Sequence, residues 1–316
     1  MKKLALILVP CIIGSLVLTA GGVILGIGIG AAVRNGDGHL EEKTFVLEDN
    51  FENFAIDLDT SKLEFKVGEE KKVVVKEAKN INHEVSVGDN SLKIKETDNR
   101  KWYEHMFTFN LKQSITVYLT ATDFDEINIK TDTGEIVIPE NFSFNKMDIK
   151  LSTGDLYSKA SVSGATTIES STGDLNLMGM HTNSLKMKAS TGHMVLKDVE
   201  VAESINLEAS TGDMYLENVH AKNIETKTST GKVKYVNSVF TENLKSVAST
   251  GDITFTDSDA ATIDVDTDTG DVKGTLLTGK TFQVSTHTGK INVPATSGGL
   301  CKISTDTGDI IIQVRG

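Results

Sequence analysis

The feature that most constrains this chain is a tetrad, Ser-Thr-Gly-Asp, which returns ten times with small variations. The copies centre on Gly134, Gly154, Gly173, Gly192, Gly212, Gly231, Gly251, Gly270, Gly289 and Gly308, spaced 19 or 20 residues apart, and a Thr precedes every one. A short fixed period marks a solenoid, in which each repeat buries its apolar face only by stacking on its neighbours.

The repeat reads residue by residue. In Ile205-Asn206-Leu207-Glu208-Ala209-Ser210-Thr211-Gly212-Asp213-Met214-Tyr215-Leu216, apolar or small residues sit seven, five, three and one before the Gly, then two and four after it. Such period-two alternation predicts strands with one buried and one solvated face. The alternation changes parity across Gly-Asp, which requires a corner. Gly supplies the positive φ, and Asp or Ser supplies local backbone hydrogen bonding. A second corner is expected in polar, Asn-containing segments such as Glu217–Asn223, with one apolar plug. Three residues before the Gly stand small or Thr residues (Thr131, Ser170, Ala189, Ala209, Thr228, Ala248, Thr267, Thr286, Thr305), with Leu151 the exception. They imply an interior too narrow for a ligand cavity. The expectation is an all-β, single-chain β-helix of 19–20-residue rungs, its ten regular rungs spanning roughly 50 Å at about 4.8 Å each.

Ahead of the repeats, Leu4 to Val33 contains no charged residue. That run exceeds the ~20 apolar residues needed to cross a bilayer. Lys2 and Lys3 predict the N-terminus inside and everything after Arg34 outside. A cleaved signal peptide, with Leu18-Thr19-Ala20 as the cleavage site, is the rival reading, but the apolar run continues well past that point. Pro10-Cys11 lacks the small residue expected before a lipidated Cys. Gly22, Gly26 and Gly30 recur at four-residue intervals, a spacing that lets two membrane helices approach closely and form a homodimer; membrane helices are also simply richer in Gly. The expected organisation is therefore a cytoplasmic tip (1–3), a transmembrane anchor (4–33), a spacer (34–45), irregular early rungs that cap the solenoid (46–130) and the regular Thr-Gly solenoid (131–316).

Formal charge is −12, and residues 1–34 hold three basic and no acidic groups, so the remainder is more acidic still. Such acidity disfavours nucleic acid as a partner. Cys11 falls in the anchor and Cys301 at an inward position, so no disulfide is expected. Within the early segment, Ile56–Phe65 repeats the rung pattern with Ser61 in the Gly position. Further on, Lys101–Phe109 includes the only Trp and the densest aromatic cluster. Trp102, Tyr103 and Phe107 are candidates for contacting a partner, a glycan or a membrane surface, or else for plugging the rod. At the other end, Ile310–Val314 follows the tenth repeat directly, and an uncovered last rung there would invite strand addition or end-to-end pairing through Ile311 and Val314.

These features together (apolar N-terminal segment, irregular strands, Ile115–Leu119, then Asp-Thr-Gly-Glu-Ile and the Ser-Thr-Gly-Asp rungs) resemble the LiaG-like, adhesin-type proteins with β-strand repeats of low-GC Gram-positive bacteria. Thr120 stands where members often carry Pro. The resemblance implies a surface protein associated with envelope stress, and it brings no catalytic residues or cofactor.

Two sharper chemistries are set aside. Asp155, Asp174, Asp213, Asp252, Asp271 and Asp309 follow repeat glycines and would line one edge. Glycoside cleavage needs carboxylates in unlike environments, whereas a uniform ladder offers equivalent ones. Adding Asp132, Asp268 and Asp306 suggests calcium, yet Lys232, Lys290 and His193 interrupt the row and the nonapeptide of calcium-binding β-rolls is absent. The sequence points to a non-catalytic, anchored surface rod that binds an envelope protein or cell-surface glycan, or alternatively to a scaffold assembled through rod ends.

Overall fold

A computed structural model describes residues 40–78, 80–100 and 113–315. Every regular element among them is a β-strand, and all the strands belong to one hydrogen-bonded system. No helix there is long and apolar enough to cross a membrane. The anchor with Gly22, Gly26 and Gly30, and the aromatic residues Trp102, Tyr103 and Phe107, lie outside the described residues.

The regular rungs pair in parallel, and equivalent residues stack. Leu185, Ile205, Ile224, Leu244 and Ile263 form one inward column, and Ala189, Ala209, Thr228, Ala248 and Thr267 form the narrow one. Beyond the corner, Met194, Met214, Val233, Ile253 and Val272 form another. These residues are buried, as period two requires. Where the core holds a phenol, its hydroxyl has partners: Tyr235 Oη lies 2.7 Å from Thr226 Oγ1, which lies 2.8 Å from Ser246 Oγ. Burial pushes that phenol up to about 12.

Each rung turns three times. At the first corner nine of the ten repeat glycines have φ between +135° and +158°. A Cβ on Gly212 would sit 1.9 Å from the carbonyl oxygen of Gly192 on the next rung, so stacking as well as φ demands glycine. Asp198, Asn218, Asn237 and Asp257 make the second corner at φ 46–54°, a region these side chains tolerate. The expected plug follows directly: Val199 and Val219 are fully buried. Register shifts such as Glu200/Ser204 mark the third.

Stacking order departs from chain order at both ends. Label the early strands β1 (Leu40–Val46), β2 (Asn53–Leu58), β3 (Lys62–Val67), β4 (Lys72–Ala78), β5 (Ile81–Gly88), β6 (Ser91–Asp98), β7 (Ser114–Leu119), β8 (Asp123–Thr133) and β9 (Ile136–Ile138). The Ser61 rung, β2–β3, lies between β6–β7 on one side and β8–β9 on the other, all in parallel. Beyond it, β4 and β5 cross antiparallel over β7 and β6, and β1 flanks β4.

At the far end the tenth rung (Gly299–Thr307, Ile310–Val314) is inserted between the eighth and the ninth. The expectation of an uncovered last rung at Ile311 and Val314 is thereby overturned: Ile311 pairs with both Lys273 and Asn292, and Val314 pairs with Leu276. The tenth rung brings Cys301, Ile303, Ile310 and Ile312 to the interior, where Cys301 and Ile303 stack on Phe282 and Val284 of the ninth and Ile310 on Ile291.

Candidate functional site

The aspartates after the repeat glycines have a structural occupation. Asp155 Oδ1 accepts the backbone N–H of Asp174 at 2.8 Å, Asp174 that of His193 at 2.8 Å, Asp213 that of Lys232 at 2.8 Å, and Asp271 that of Asp309 at 2.7 Å. Each carboxylate thus ties its corner to the next rung rather than to its own. Among the described residues, no three His, Cys, Asp or Glu side chains are arranged so that they could hold a metal ion. The outer faces carry ion pairs from rung to rung, such as Lys188–Glu208 at 2.6 Å and Lys245–Glu225 at 2.8 Å.

An apolar-floored groove of about 660 Å³ crosses the side of the early rungs, lined by Glu52, Asp123, Phe124, Asp125, Asn145 and His181 among others. Its carboxylates are engaged, since Ser143 donates to Asp123, and Asn145 Nδ2 donates to Asp125 at 2.9 Å. Tyr157, 42% exposed, borders a smaller groove of about 310 Å³ with Val137, Pro139 and Met178.

At the β4–β5 end lies a buried charged network that the repeat pattern does not announce. His83 Nδ1 is 2.8 Å from Glu77 Oε2, and His83 Nε2 is 3.2 Å from Ser61 Oγ and 3.8 Å from Glu96 Oε2. Glu96 accepts the backbone N–H groups of Asp59, Thr60 and Ser61 at 3.1–3.2 Å, and Lys43 reaches Glu77 from β1. Burial opposes charge on all three groups. That burial is the largest single influence, but the hydrogen bonds and charge of His83, joined by Lys43 at Glu77 and by Thr60 at Glu96, together outweigh it and hold both carboxyls below the usual carboxylate range, while the two carboxylates together raise His83. The order Ser61–His83–Glu77 is that of a nucleophile, base and orienting acid. Ser61, however, is 1% exposed, and its neighbour Glu96 serves the corner. The network acts as a lock on the first corner.

Alternation in Ile81-Asn82-His83 and Leu92-Lys93-Ile94-Lys95-Glu96 assigns His83 and Glu96 to the inward face. That is the signal from which the network was readable.

Among the described residues, no such seal covers the opposite end. Lys280–Thr288 and Ile291–Asn292 each pair on one side only among the described residues. Their inward positions are uncovered: Ile291 is 46% exposed, and Phe282, Val284 and Val293 are only half-buried. Leu300, 39% exposed, stacks on Thr281 at the outer face of the tenth rung.

A protein-family model described as Toastrack DUF4097 matches residues 51–204 and 199–316. The chain belongs to this family. Similar solved structures include a candidate adhesin from Bacteroides fragilis (14% identity, 87% of this chain and 97% of that chain, TM-score 0.41). Also similar are a candidate adhesin from Parabacteroides merdae (16%, 77% and 99%, TM-score 0.43) and a candidate lipid-binding protein from Parabacteroides distasonis (16%, 76% and 95%, TM-score 0.47). No curated protein matches this Toastrack chain. Membership agrees with the adhesin-type resemblance drawn from the repeats.

Proposed function

We propose that this protein is a membrane-anchored, adhesin-like rod at the cell surface, non-catalytic and associated with the envelope-stress response. Residues 4–33 cross the membrane, with the β-solenoid outside. One observation carries the reading. Among the described residues the first strand, β1, lies at the sealed end, so an anchor preceding Leu40 places the half-exposed apolar end at the far tip. The ladder aspartates are committed to backbone N–H groups and Ser61 is buried, which supports binding rather than catalysis. The partner class is a cell-wall glycan or an envelope protein. Membrane two-hybrid and crosslinking assays would also reveal pairing of anchors through Gly22, Gly26 and Gly30.

The test combines protease shaving of intact cells with co-sedimentation of the full chain on isolated envelopes. Cleavage of the rod outside, and saturable binding to one wall or membrane fraction, are expected. Protection of the rod in intact cells would refute the orientation, and absence of saturable binding would refute the adhesin-like role.

A further inference from the structure

The open end has three properties that together define its partner. First, its exposed apolar positions lie on more than one side of the rung: Phe282 and Val284 on the long strand, Ile291 beyond the glycine corner, and Val293 after it. One added strand would cover a single side and leave the others wet. The occupant must present a whole rung with inward apolar residues at matching positions.

Second, the terminal rung itself carries no acidic side chain in a strongly acidic protein, none occurring between Asp271 and Asp306, and the nearby Asp309 carboxylate is engaged by the Lys290 backbone N–H at 2.9 Å. Three of the lysines in that interval are neutralised by other rungs or corners, Lys273 by Asp271, Lys280 by Asp259 at 2.6 Å and Lys302 by Asp264 at 3.7 Å. Lys290, exposed beside the glycine corner, is the fourth; with one such cation on each terminal rung, two ends repel less than the rod's acidic sides would. Third, the edge is unguarded. Natural sheet edges are commonly protected by charge, and the sealed end follows that practice, with Glu41 and Glu42 on β1 and Glu84 on β5. The edge strand Lys280–Thr288 has only Lys280, already buried, and His287.

We propose that the open end pairs with the same end of a second copy of this chain, the Lys280–Thr288 edges aligning antiparallel about a two-fold axis near Val284. An isologous contact closes on itself, giving a dimer of rods joined tip to tip. Head-to-tail growth is disfavoured, because the other end offers antiparallel strands with acidic edges. This pairing deepens the surface reading and rests on it for its consequence: rods anchored at their sealed ends on two facing membranes would be bridged by one homophilic contact.

Sedimentation velocity of the full-length chain in a non-ionic detergent, carrying Gly26→Leu to remove contacts between apolar segments, measures the pairing directly. A monomer–dimer equilibrium is expected between about 1 and 100 μM, the range suited to a contact one rung wide. Val284→Asp and Ile291→Asp should each weaken it at least about tenfold by placing a charge in the contact. Ile291→Asp changes a half-exposed site and should keep the β-sheet circular dichroism. A monomer throughout, undiminished dimers in both variants, or open-ended polymers would each overturn the proposal. Phosphatidylcholine vesicles carrying the same chain separate the two claims. Clustering that Ile291→Asp abolishes supports both the pairing and the outward tip. Dimers in detergent without clustering would retain the pairing and refute the anchored orientation.

Discussion

The two ends of this rod close the same kind of core in opposite ways. At the sealed end, β4 and β5 run antiparallel across the last parallel rung, and Val73 and Val75 of β4, Ile81 of β5 and Leu92 of β6 are buried there. Phe51, Phe54, Phe65, Phe124, Phe142 and Phe144 interlock behind, most pairs edge to face at 4.8–6.1 Å. The Glu77–His83–Glu96 network then fixes the first corner. At the open end an ordinary rung simply stops, its inward side chains half wet. A solenoid needs capping to remain soluble, so one sealed and one bare end teach that the bare one is available for contact. The seal also explains why Ser61 replaces glycine at its corner. Its backbone meets a carboxylate rather than another glycine carbonyl.

The largest expected effect lies between the ends and calibrates the comparison. Gly212→Ala forces a Cβ against Gly192 at φ +143° and should destabilise the rod by about 4 kcal/mol, read as a loss of cooperative thermal unfolding. Next comes His83→Ala, which leaves two buried carboxylates facing one another. It should cost about 3–5 kcal/mol, measured by denaturant unfolding. At the open end, Phe282→Ala removes a half-buried ring and should cost only about 1–2 kcal/mol in the same assay. Equal losses for His83→Ala and Phe282→Ala would break the contrast between the ends.

Acidity sharpens it further. Glu77 and Glu96 titrate below 4.5 in the folded chain, so their stabilisation is complete above that value and is lost as pH falls through the depressed pKa values. His83 titrates above 6.5; its contribution is complete below 6.5 and is lost as pH rises through the raised value. Hydrogen exchange in β4–β6 should therefore be slowest between about pH 4.5 and 6.5 after correction for intrinsic rates, with no such window at Lys280–Thr288. The smallest effect concerns Cys301, whose buried thiol is raised to about 12 and lies under Phe282. Iodoacetamide should label it slowly, and faster in Ile291→Asp.

Much of this was legible in the sequence, because glycine, alternation and corner chemistry are local. The Thr-Gly period, the inward columns and the Asn218 corner with its Val219 plug all follow from residues within one repeat. Stacking order is not local. Repeats eight, nine and ten carry the same signature, so no pattern distinguishes the order found from simple succession, and simple succession puts the bare rung at Ile311 and Val314 instead of at Lys280–Asn292. Core content does not separate them either, since Ile303 stacks on Val284, Thr305 on Thr286 and Ile310 on Ile291. The lock was partly readable from the inward parity of His83 and Glu96; their meeting with Glu77 and Ser61 depends on the antiparallel crossing, which no short motif encodes. The aromatic candidates Trp102, Tyr103 and Phe107 are not placed by the described residues and remain a partner-contact proposal, tested by whether Trp102→Ala reduces envelope binding.

The most direct measurement is hydrogen–deuterium exchange of the full-length chain across a dilution series. Dilute protein should show strong protection in β2–β7 and in Gly299–Thr307 and rapid exchange in Lys280–Asn292, and that rapid exchange should slow as concentration rises. Protection of Lys280–Asn292 equal to that of Gly299–Thr307 at every concentration would contradict the account of one sealed and one open end.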